Sequence, residues 1–260
     1  MSWSALTVVE LQALALAFAR VAAIILSTPL LSSRTLPVPV KAALALSLSL
    51  AVAPLLRGRP PLPGDVLAFA LAVAGEVAVG LLLGFAARLL FGAVQLGSQL
   101  VSFQLGFGIA NVLDPQGGTE VSVLTEFHQL VALLLFLAVN AHHWFVQAVV
   151  RSFETIPPGG VHLGADLQGT VMGMTASMFD LAIRLGAPVI AVLILTNVAF
   201  GLLARAVPQL NIFILSFPLQ IGVGLAAVGL SLTFFAAVLE GAFGDLARGM
   251  DRLLRILGTA

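Results

Sequence analysis

Residues 76–106 read EVAVGLLLGFAARLLFGAVQLGSQLVSFQLG, an apolar segment in which polar and small residues recur every three or four positions. This spacing places them on one face of an α-helix. At about 1.5 Å per residue the face is roughly 45 Å long, whereas the hydrocarbon core of a bilayer is about 30 Å thick. We therefore expect partner subunits or a water-filled lumen to cover this polar stripe, in preference to the chain's own helices. Its members are Glu76, Gly80, Gly84, Arg88, Gly92, Gln95, Gln99, Ser102 and Gly106.

Composition places the chain among integral membrane proteins. Of its 260 residues, 60% are hydrophobic and 9% are charged, with a mean hydropathy of +1.10. Soluble domains carry about 25% charged residues. Lys and Arg total 12, as do Asp and Glu, so no charge excess favours nucleic-acid binding. The sequence has no cysteine, which excludes disulfides, thiolate metal sites and a cysteine nucleophile.

Turn signals divide the chain into apolar segments and predict an all-α membrane protein of helical hairpins broken by proline and glycine. Pro188 is expected to separate two helices, and Pro218 to break the last one. The predicted helical segments are residues 5–31 (retained as a first helix, since no basic residue precedes it), 42–56, 65 onward, 120–140, 166–186, 189–205 and 209–240. We predict a single domain over residues 1–260, made of N-terminal helices and a loop (1–64), the striped helix and a following loop (65–118), hairpins (119–240) and a tail (241–260).

The tail is predicted to be an amphipathic helix. Its arginines favour a cytoplasmic C-terminus, because cytoplasmic flanks of membrane helices are enriched in basic residues. The apolar face holds Phe243, Leu246, Met250, Leu253 and Leu257, and the polar face holds Arg248, Arg252 and Arg255.

Several charged residues lie in or beside apolar runs, where an Arg or Asp at mid-membrane depth costs about 2.5–3.5 kcal/mol. Asp180 and Arg184 are four residues apart with the acid first, which favours a buried ion pair on one helix. The pair has two open interpretations: a polar conduit or subunit contact, or a salt bridge inside the chain. The other charged residues of this kind are Arg20, Glu76, Arg88 and Glu126.

Motifs for catalysis or metal binding are weak. His142 and His143 are adjacent, and Glu126 and His128 are two apart, so neither pair shares a helix face. Ser98 has no accompanying base, and the chain carries neither a phosphate loop nor a dinucleotide motif. We predict a protein that is not an enzyme and that takes no cofactor and no metal.

Three stretches resemble the FliR/SctT family, the export-gate membrane proteins of bacterial flagellar and virulence type III secretion systems. They are residues 88–118 (RLLFGAVQLGSQLVSFQLGFGIANVLDPQGG), 136–144 (FLAVNAHHW) and 200–220 (FGLLARAVPQLNIFILSFPLQ). The most specific pieces are Asp114-Pro115 and the spaced set Arg205, Pro208, Asn211 and Pro218.

This resemblance implies a core subunit of an export gate through which unfolded flagellar or virulence substrates cross the bacterial inner membrane. The implied partners are FliP/SctR-type and FliQ/SctS-type subunits, with an FlhB/SctU-type subunit on the cytoplasmic side. The implied location is the flagellar basal body or the injectisome base. The loop matching residues 103–118 would plug the closed channel through Phe103, Gln104, Gly106, Phe107, Gly108, Asn111, Asp114, Pro115, Gly117 and Gly118.

A secondary transporter is the alternative. Asp180, Arg184 and Glu126 would then couple transport to ions or protons, as charged groups near the bilayer midplane do in such proteins. That function predicts an internal repeat, which the sequence does not show.

Overall fold

The computed structural model describes residues 8–29, 37–56, 65–107, 122–162, 164, 166–209 and 211–258. Within these ranges the chain is helical and contains no strand, which confirms the all-α class. The helices are α1 (Val8–Ser27), α2 (Val38–Val52, continued by a 3-10 turn at Ala53–Leu56), α3 (Val66–Gln104), α4 (Val123–Ala138), α5 (Ala141–Thr155), α6 (Asp166–Ala206) and α7 (Ile212–Gly258).

Five of these helical segments are long and apolar enough to cross a membrane: α1, α2 with its 3-10 turn, α3, α6 and α7. The pair α4 and α5 would form a sixth span, interrupted where Asn140 takes a left-handed backbone conformation with φ of 56°. The 39 residues of α3 correspond to about 58 Å of helix, nearly twice the thickness of a hydrocarbon core. The protein is therefore a multi-pass membrane protein.

Local sequence explains where two helices begin. α2 starts at Val38, after Pro37 and with Pro39 in its first turn, where the missing N–H is tolerated. The predicted loop over residues 32–41 is therefore wrong for Val38–Lys41. α3 starts directly after Asp65, as predicted, and the Asp65 carbonyl accepts a hydrogen bond from the Phe69 N–H.

The predicted helix breaks at Pro188, Pro218 and Gly241 are wrong. Pro188 lies inside α6, and Pro218 and Gly241 lie inside α7, both of which run on without interruption. Proline removes one backbone hydrogen bond, but neighbouring turns keep theirs, and a membrane offers no water to replace them if the helix opened. Long apolar helices therefore tolerate a proline that would end a shorter helix in water.

The chain forms two compact units, each built from segments that are distant in sequence. The first unit contains residues 1–89, 140–175 and 244–260, and the second contains residues 90–139 and 176–243. Packing thus groups residues differently from the four successive segments suggested by the sequence. The single domain over residues 1–260 stays a prediction.

In the first unit, α1 packs along α2 and its 3-10 turn, and Leu16 and Val21 of α1 are buried. In the second unit, ring contacts join three helices: the centroid of Phe136 lies 5.9 Å from that of Phe91 and 5.5 Å from that of Phe243. Next to these rings, apolar side chains form a core of Val101, Leu105, Leu124, Val189, Leu193 and Val228.

The C-terminal part of α7 shows the predicted division into two faces. All five of its apolar residues, from Phe243 to Leu257, are buried, and Arg248, Arg252 and Arg255 are exposed. In the first unit the Leu257 carbonyl accepts a hydrogen bond from the His162 N–H. The apolar face of this segment is thus covered by protein.

Candidate functional site

The first half of the polar stripe, on the α3 residues of the first unit, is in contact with α1. A Cβ added at Gly80 would lie 2.5 Å from the Arg20 carbonyl oxygen, and one at Gly84 would lie 1.7 Å from Ser27 Oγ. Only a residue without a side chain permits two helix backbones to approach so closely. For Glu76, Gly80 and Gly84 the expectation of cover by partners or a lumen is therefore corrected, because α1 of the same chain buries them.

Arg20 is the centre of a buried polar network in this unit. Arg20 and Glu76 are both fully buried, and Arg20 Nε donates to Glu76 Oε2 at 2.5 Å. The two remaining guanidinium nitrogens donate to the carbonyls of Ser152 at 2.6 Å and Ile156 at 3.1 Å. These carbonyls lie at the C-terminal end of α5, where helix carbonyls lack intrahelical partners and attract a cation. Arg20 thus caps α5 from α1.

Two further contacts complete the surroundings of this ion pair. The Gly159 N–H donates to Glu76 Oε1 at 2.9 Å, in a turn where Gly159 has φ of +77°. The guanidinium carbon of Arg20 lies 4.3 Å from the centroid of the Phe153 ring, a cation–π geometry. Both charges are therefore hydrogen-bonded as well as paired, which a desolvated ion pair requires.

Arg88 ends the part of the stripe that belongs to the first unit. Its Nε donates to the carbonyl of Ser27, the last residue of α1, at 2.7 Å. The Arg88 side chain is otherwise exposed, although it stands in the middle of an apolar span. The interface prediction therefore remains open for Arg88.

The second half of the stripe belongs to the second unit. Gly92, Gln95 and Gln99 are half-buried, so their polar face is only partly covered by the chain itself. Ser102 is buried, and its hydroxyl lies 2.7 Å from that of Ser122, the residue before α4. These stripe residues stay predicted as an interface or lumen surface.

The C-terminal end of α3 is held by α7. The Gln220 side-chain amide donates to the Gln104 carbonyl, which would otherwise be unpaired at the helix end. Gly106 has φ of +88°, a conformation that side chains disfavour, and a Cβ there would lie 3.2 Å from the Phe217 ring. A Cβ at Gly224 would meet Leu105 at 1.9 Å. The point where the chain leaves α3 is therefore fixed by contacts with α7.

The predicted plug lies partly within the described residues. Phe103 is 64% exposed and Phe107 is 38% exposed, while Gln104 and Gly106 are half-buried at the end of α3. Gly108, Asn111, Asp114, Pro115, Gly117 and Gly118 lie outside the described residues. The plug stays a prediction.

Asp180 and Arg184 form the expected i, i+4 ion pair on α6, with Arg184 Nε donating to Asp180 Oδ2 at 2.9 Å. The expectation that the pair is buried is corrected: the Asp180 side chain is 60% exposed and that of Arg184 is 67% exposed. The reason is helical phase, since α6 turns Ala182, Leu185 and Gly186 into the second unit and this pair away from it.

The family-motif residues occupy the connection between α6 and α7. Arg205 stands in the last turn of α6, and Pro208 follows that helix. Asn211 precedes α7 and is exposed, while Pro218 lies within α7. All of the described residues from Gly201 to Gln209 are exposed.

Several of these contacts were missed at the level of sequence. Arg20 and Glu76 were each recognised as charges in apolar runs, but nothing indicated that they pair across 56 positions. The contact of Gln220 with Gln104 had no local signal. Gly97 lies outside the stripe, yet a Cβ there would lie 2.6 Å from the Ala182 carbonyl oxygen. Its presence in an apolar helix next to Ser98 was the only hint.

Metal chemistry has no support in the part of the chain that the structure describes. There, no group of three or more His, Asp or Glu side chains could hold a metal ion. The rings of His142 and His143 lie 4.4 Å apart, stacked on each other at the start of α5. The described site thus consists of a polar helix face and buried ion pairs.

Long apolar spans, a buried arginine that caps a neighbouring helix and a polar stripe that the chain covers only in part define a class: polytopic helical membrane proteins with hydrophilic surface at membrane depth. Comparison with known proteins specifies it further. A family model described as bacterial export proteins, family 1, matches residues 11–246. The chain belongs to this family, whose curated members include the FliR proteins, and the resemblance noted above is confirmed.

Individual relatives agree with the family match. The chain is 33% identical over 227 residues to the flagellar biosynthetic protein FliR of Escherichia coli (strain K12), covering 87% of each chain. It is 34% identical over 188 residues to FliR of Bacillus subtilis (strain 168), covering 71% of this chain and 73% of the relative. With FliR of Caulobacter vibrioides it shares 29% identity over 241 residues, covering 92% and 96%.

Proposed function

We propose that this protein is a non-enzymatic core subunit of a type III protein export gate in the bacterial inner membrane. The observation that carries the proposal is the family match over residues 11–246, nearly the whole chain. The relatives named above are flagellar biosynthetic proteins, which favours a flagellar basal body over a virulence injectisome.

The geometry of the second unit supports a role in a hetero-oligomeric channel. Gln95 and Gln99 remain half-exposed on a helix whose remaining surface is apolar, and Asp180 and Arg184 are exposed on another. Polar groups at membrane depth are tolerated where they meet protein or a water-filled cavity. We assign these surfaces to contacts with FliP/SctR-type and FliQ/SctS-type subunits and to the lumen, with an FlhB/SctU-type subunit on the cytoplasmic side.

Gating is assigned to the segment that follows α3. Contacts from Gln220 and Phe217 hold the start of this segment, and Gly106 supplies the backbone conformation at which α3 ends. In the closed gate, Phe103 and Phe107 obstruct the channel together with the residues that follow. Passage of an unfolded substrate displaces this plug mechanically, with the energy supplied by other components of the export apparatus.

Affinity purification of the tagged chain from membranes, with its neighbouring export genes co-expressed, tests the assembly. A gate subunit brings heterologous membrane subunits with it. A secondary transporter, the alternative that uses Asp180, Arg184 and Glu126, purifies alone or with copies of itself. That result would reject the proposed function.

Conductance of the purified gate in planar bilayers tests the plug. Deletion of residues 107–118 is expected to raise the conductance at least tenfold above that of the parent gate. Leu202→Ala removes an exposed apolar side chain from α6 and serves as a control with parent conductance. Equal conductance of the deletion and the parent would mean that this segment does not obstruct the channel.

A further inference from the structure

An exposed ion pair interrupts the apolar surface of α6 in the second unit. Arg184 Nε donates to Asp180 Oδ2 at 2.9 Å, and both side chains are more than half exposed. α6 is otherwise a membrane helix, with a mean hydropathy of 2.3 in its most apolar window. Charged groups at such depth face protein or water, because lipid tails do not solvate them.

Packing on the opposite side of α6 fixes the direction in which the pair points. Ala182, Leu185 and Val189 are buried, and the close approach between Gly97 and the Ala182 carbonyl leaves no freedom for α6 to rotate. Asp180 and Arg184 therefore cannot turn into the core of their own unit. Whatever neutralises this polar surface comes from outside the chain.

Small residues surround the ion pair on the same helix face. Ala176 and Ser177 lie one turn before Asp180, and Ala187 and Ala191 lie one and two turns beyond Arg184, all of them exposed. Small side chains let a second helix backbone approach closely, which is how membrane helices associate without a hydrophobic driving force. A surface facing lipid does not need such a run. We call these six residues the Asp180 face.

We propose that the Asp180 face docks a membrane helix of a different subunit that carries charged or amide side chains at the depth of Asp180 and Arg184. The i, i+4 pair presents an acid and a base one helical turn apart, so it recognises a partner with the complementary order. It thereby sets the register of the two helices, while the small residues provide the contact. The inference rests on the proposed hetero-oligomeric gate and names the surface and the partner chemistry within it.

Exchange of the two charges tests this surface. The double variant Asp180→Arg, Arg184→Asp keeps an ion pair within α6 but reverses the order that a partner meets. With the neighbouring export genes co-expressed, we expect at least a tenfold loss of heterologous subunits co-purified per tagged chain. The matched control is Asp245→Arg, Arg248→Asp, which exchanges another exposed pair near the end of α7 and should leave recovery within twofold of the parent.

Ala187→Trp tests the same surface without altering charge, which covers the case in which the exchanged pair prevents accumulation of the chain. The same loss of partner subunits is expected. Parent-level recovery with either the exchanged pair or Ala187→Trp would overturn the proposal. If the parent itself recovers no heterologous membrane subunit, the proposed function fails together with it, whereas recovery by parent and variants alike excludes only this surface.

A single cysteine at position 187 of this cysteine-free chain identifies what covers the face. In membranes holding the assembled gate, the proposal expects a thiol shielded from a membrane-impermeant maleimide and cross-linked to a heterologous subunit. Rapid labelling would indicate a lumen surface, and cross-links between copies of this chain would indicate self-association. Either result would overturn the proposal.

Discussion

The guanidinium of Arg20 on α1 and the carboxylate of Glu76 on α3 form a fully buried ion pair between residues 56 positions apart. The pair also fixes a third helix, because Arg20 donates to the Ser152 and Ile156 carbonyls at the end of α5. A buried charge that loses its partner is strongly destabilising. We therefore regard this network as the main polar determinant of packing in the first unit.

Glu76→Leu should lower the free energy of unfolding by about 3–5 kcal/mol, since it leaves the Arg20 charge buried without its carboxylate. The thermal unfolding midpoint of the detergent-purified protein measures the loss. Asp251→Ala, which removes an exposed ion pair with Arg151, should cost about 1 kcal/mol or less.

The double variant Arg20→Met, Glu76→Leu is the critical comparison for this network. It should be more stable than Glu76→Leu alone, because no unpaired charge remains in the core. Full recovery is not expected, since the Ser152 and Ile156 carbonyls lose their donors. A double variant less stable than Glu76→Leu would contradict the assignment of Arg20 as the destabilising buried charge.

Gly80→Ala should destabilise the protein by about 1–3 kcal/mol, because the added methyl group would lie 2.5 Å from the Arg20 carbonyl oxygen and force α1 and α3 apart. Gly169→Ala is the control: no described atom lies within 4 Å of the new Cβ, and alanine favours a helix over glycine by about 1 kcal/mol. Thermal unfolding of the two variants decides the matter. Equal midpoints would show that α1 and α3 are farther apart than described.

Arg88→Leu should weaken assembly of the gate more than it reduces the amount of chain in the membrane. The substitution removes the donor to the Ser27 carbonyl at the end of α1, together with an exposed charge on an apolar span. Co-purified partner subunits, normalised to tagged chain, provide the measurement. Arg252→Leu, in the exposed face of the α7 tail, is the control, and similar partner recovery from both would argue against Arg88 as an interface residue.

Ser102→Cys with Ser122→Cys should form a disulfide on mild oxidation. The two hydroxyl oxygens lie 2.7 Å apart, so the β-carbons are near the separation that a disulfide needs. Mass measurement before and after reduction detects the bond without interference, because the chain has no other cysteine. Ser98→Cys with Ser122→Cys moves one thiol a turn back along α3 and should cross-link far less. Equal cross-linking of both pairs would contradict the described position of Ser122.

Hydropathy and helical spacing were sufficient to predict the all-α class, the start of α3 after Asp65 and the two faces of the α7 tail. These are local properties, because the period of a helix and the sorting of apolar side chains depend on neighbours three or four residues away. Helix ends at Pro188, Pro218 and Gly241 were wrongly predicted for the same reason. Whether a helix survives a proline depends on its total length and surroundings, which local rules ignore.

By itself, the sequence determined that this is a helical membrane protein and that one of its helices carries a polar stripe longer than a bilayer is thick, since composition and periodicity are encoded residue by residue. Only the tertiary structure decided which part of that stripe the chain covers. Glu76 finds Arg20 and Gly84 meets Ser27 through close packing of α1 on α3, whereas helical phase leaves Asp180 and Arg184 exposed on α6. Partners so far apart along the chain are selected by how helices pack, and no spacing rule within one helix specifies that choice.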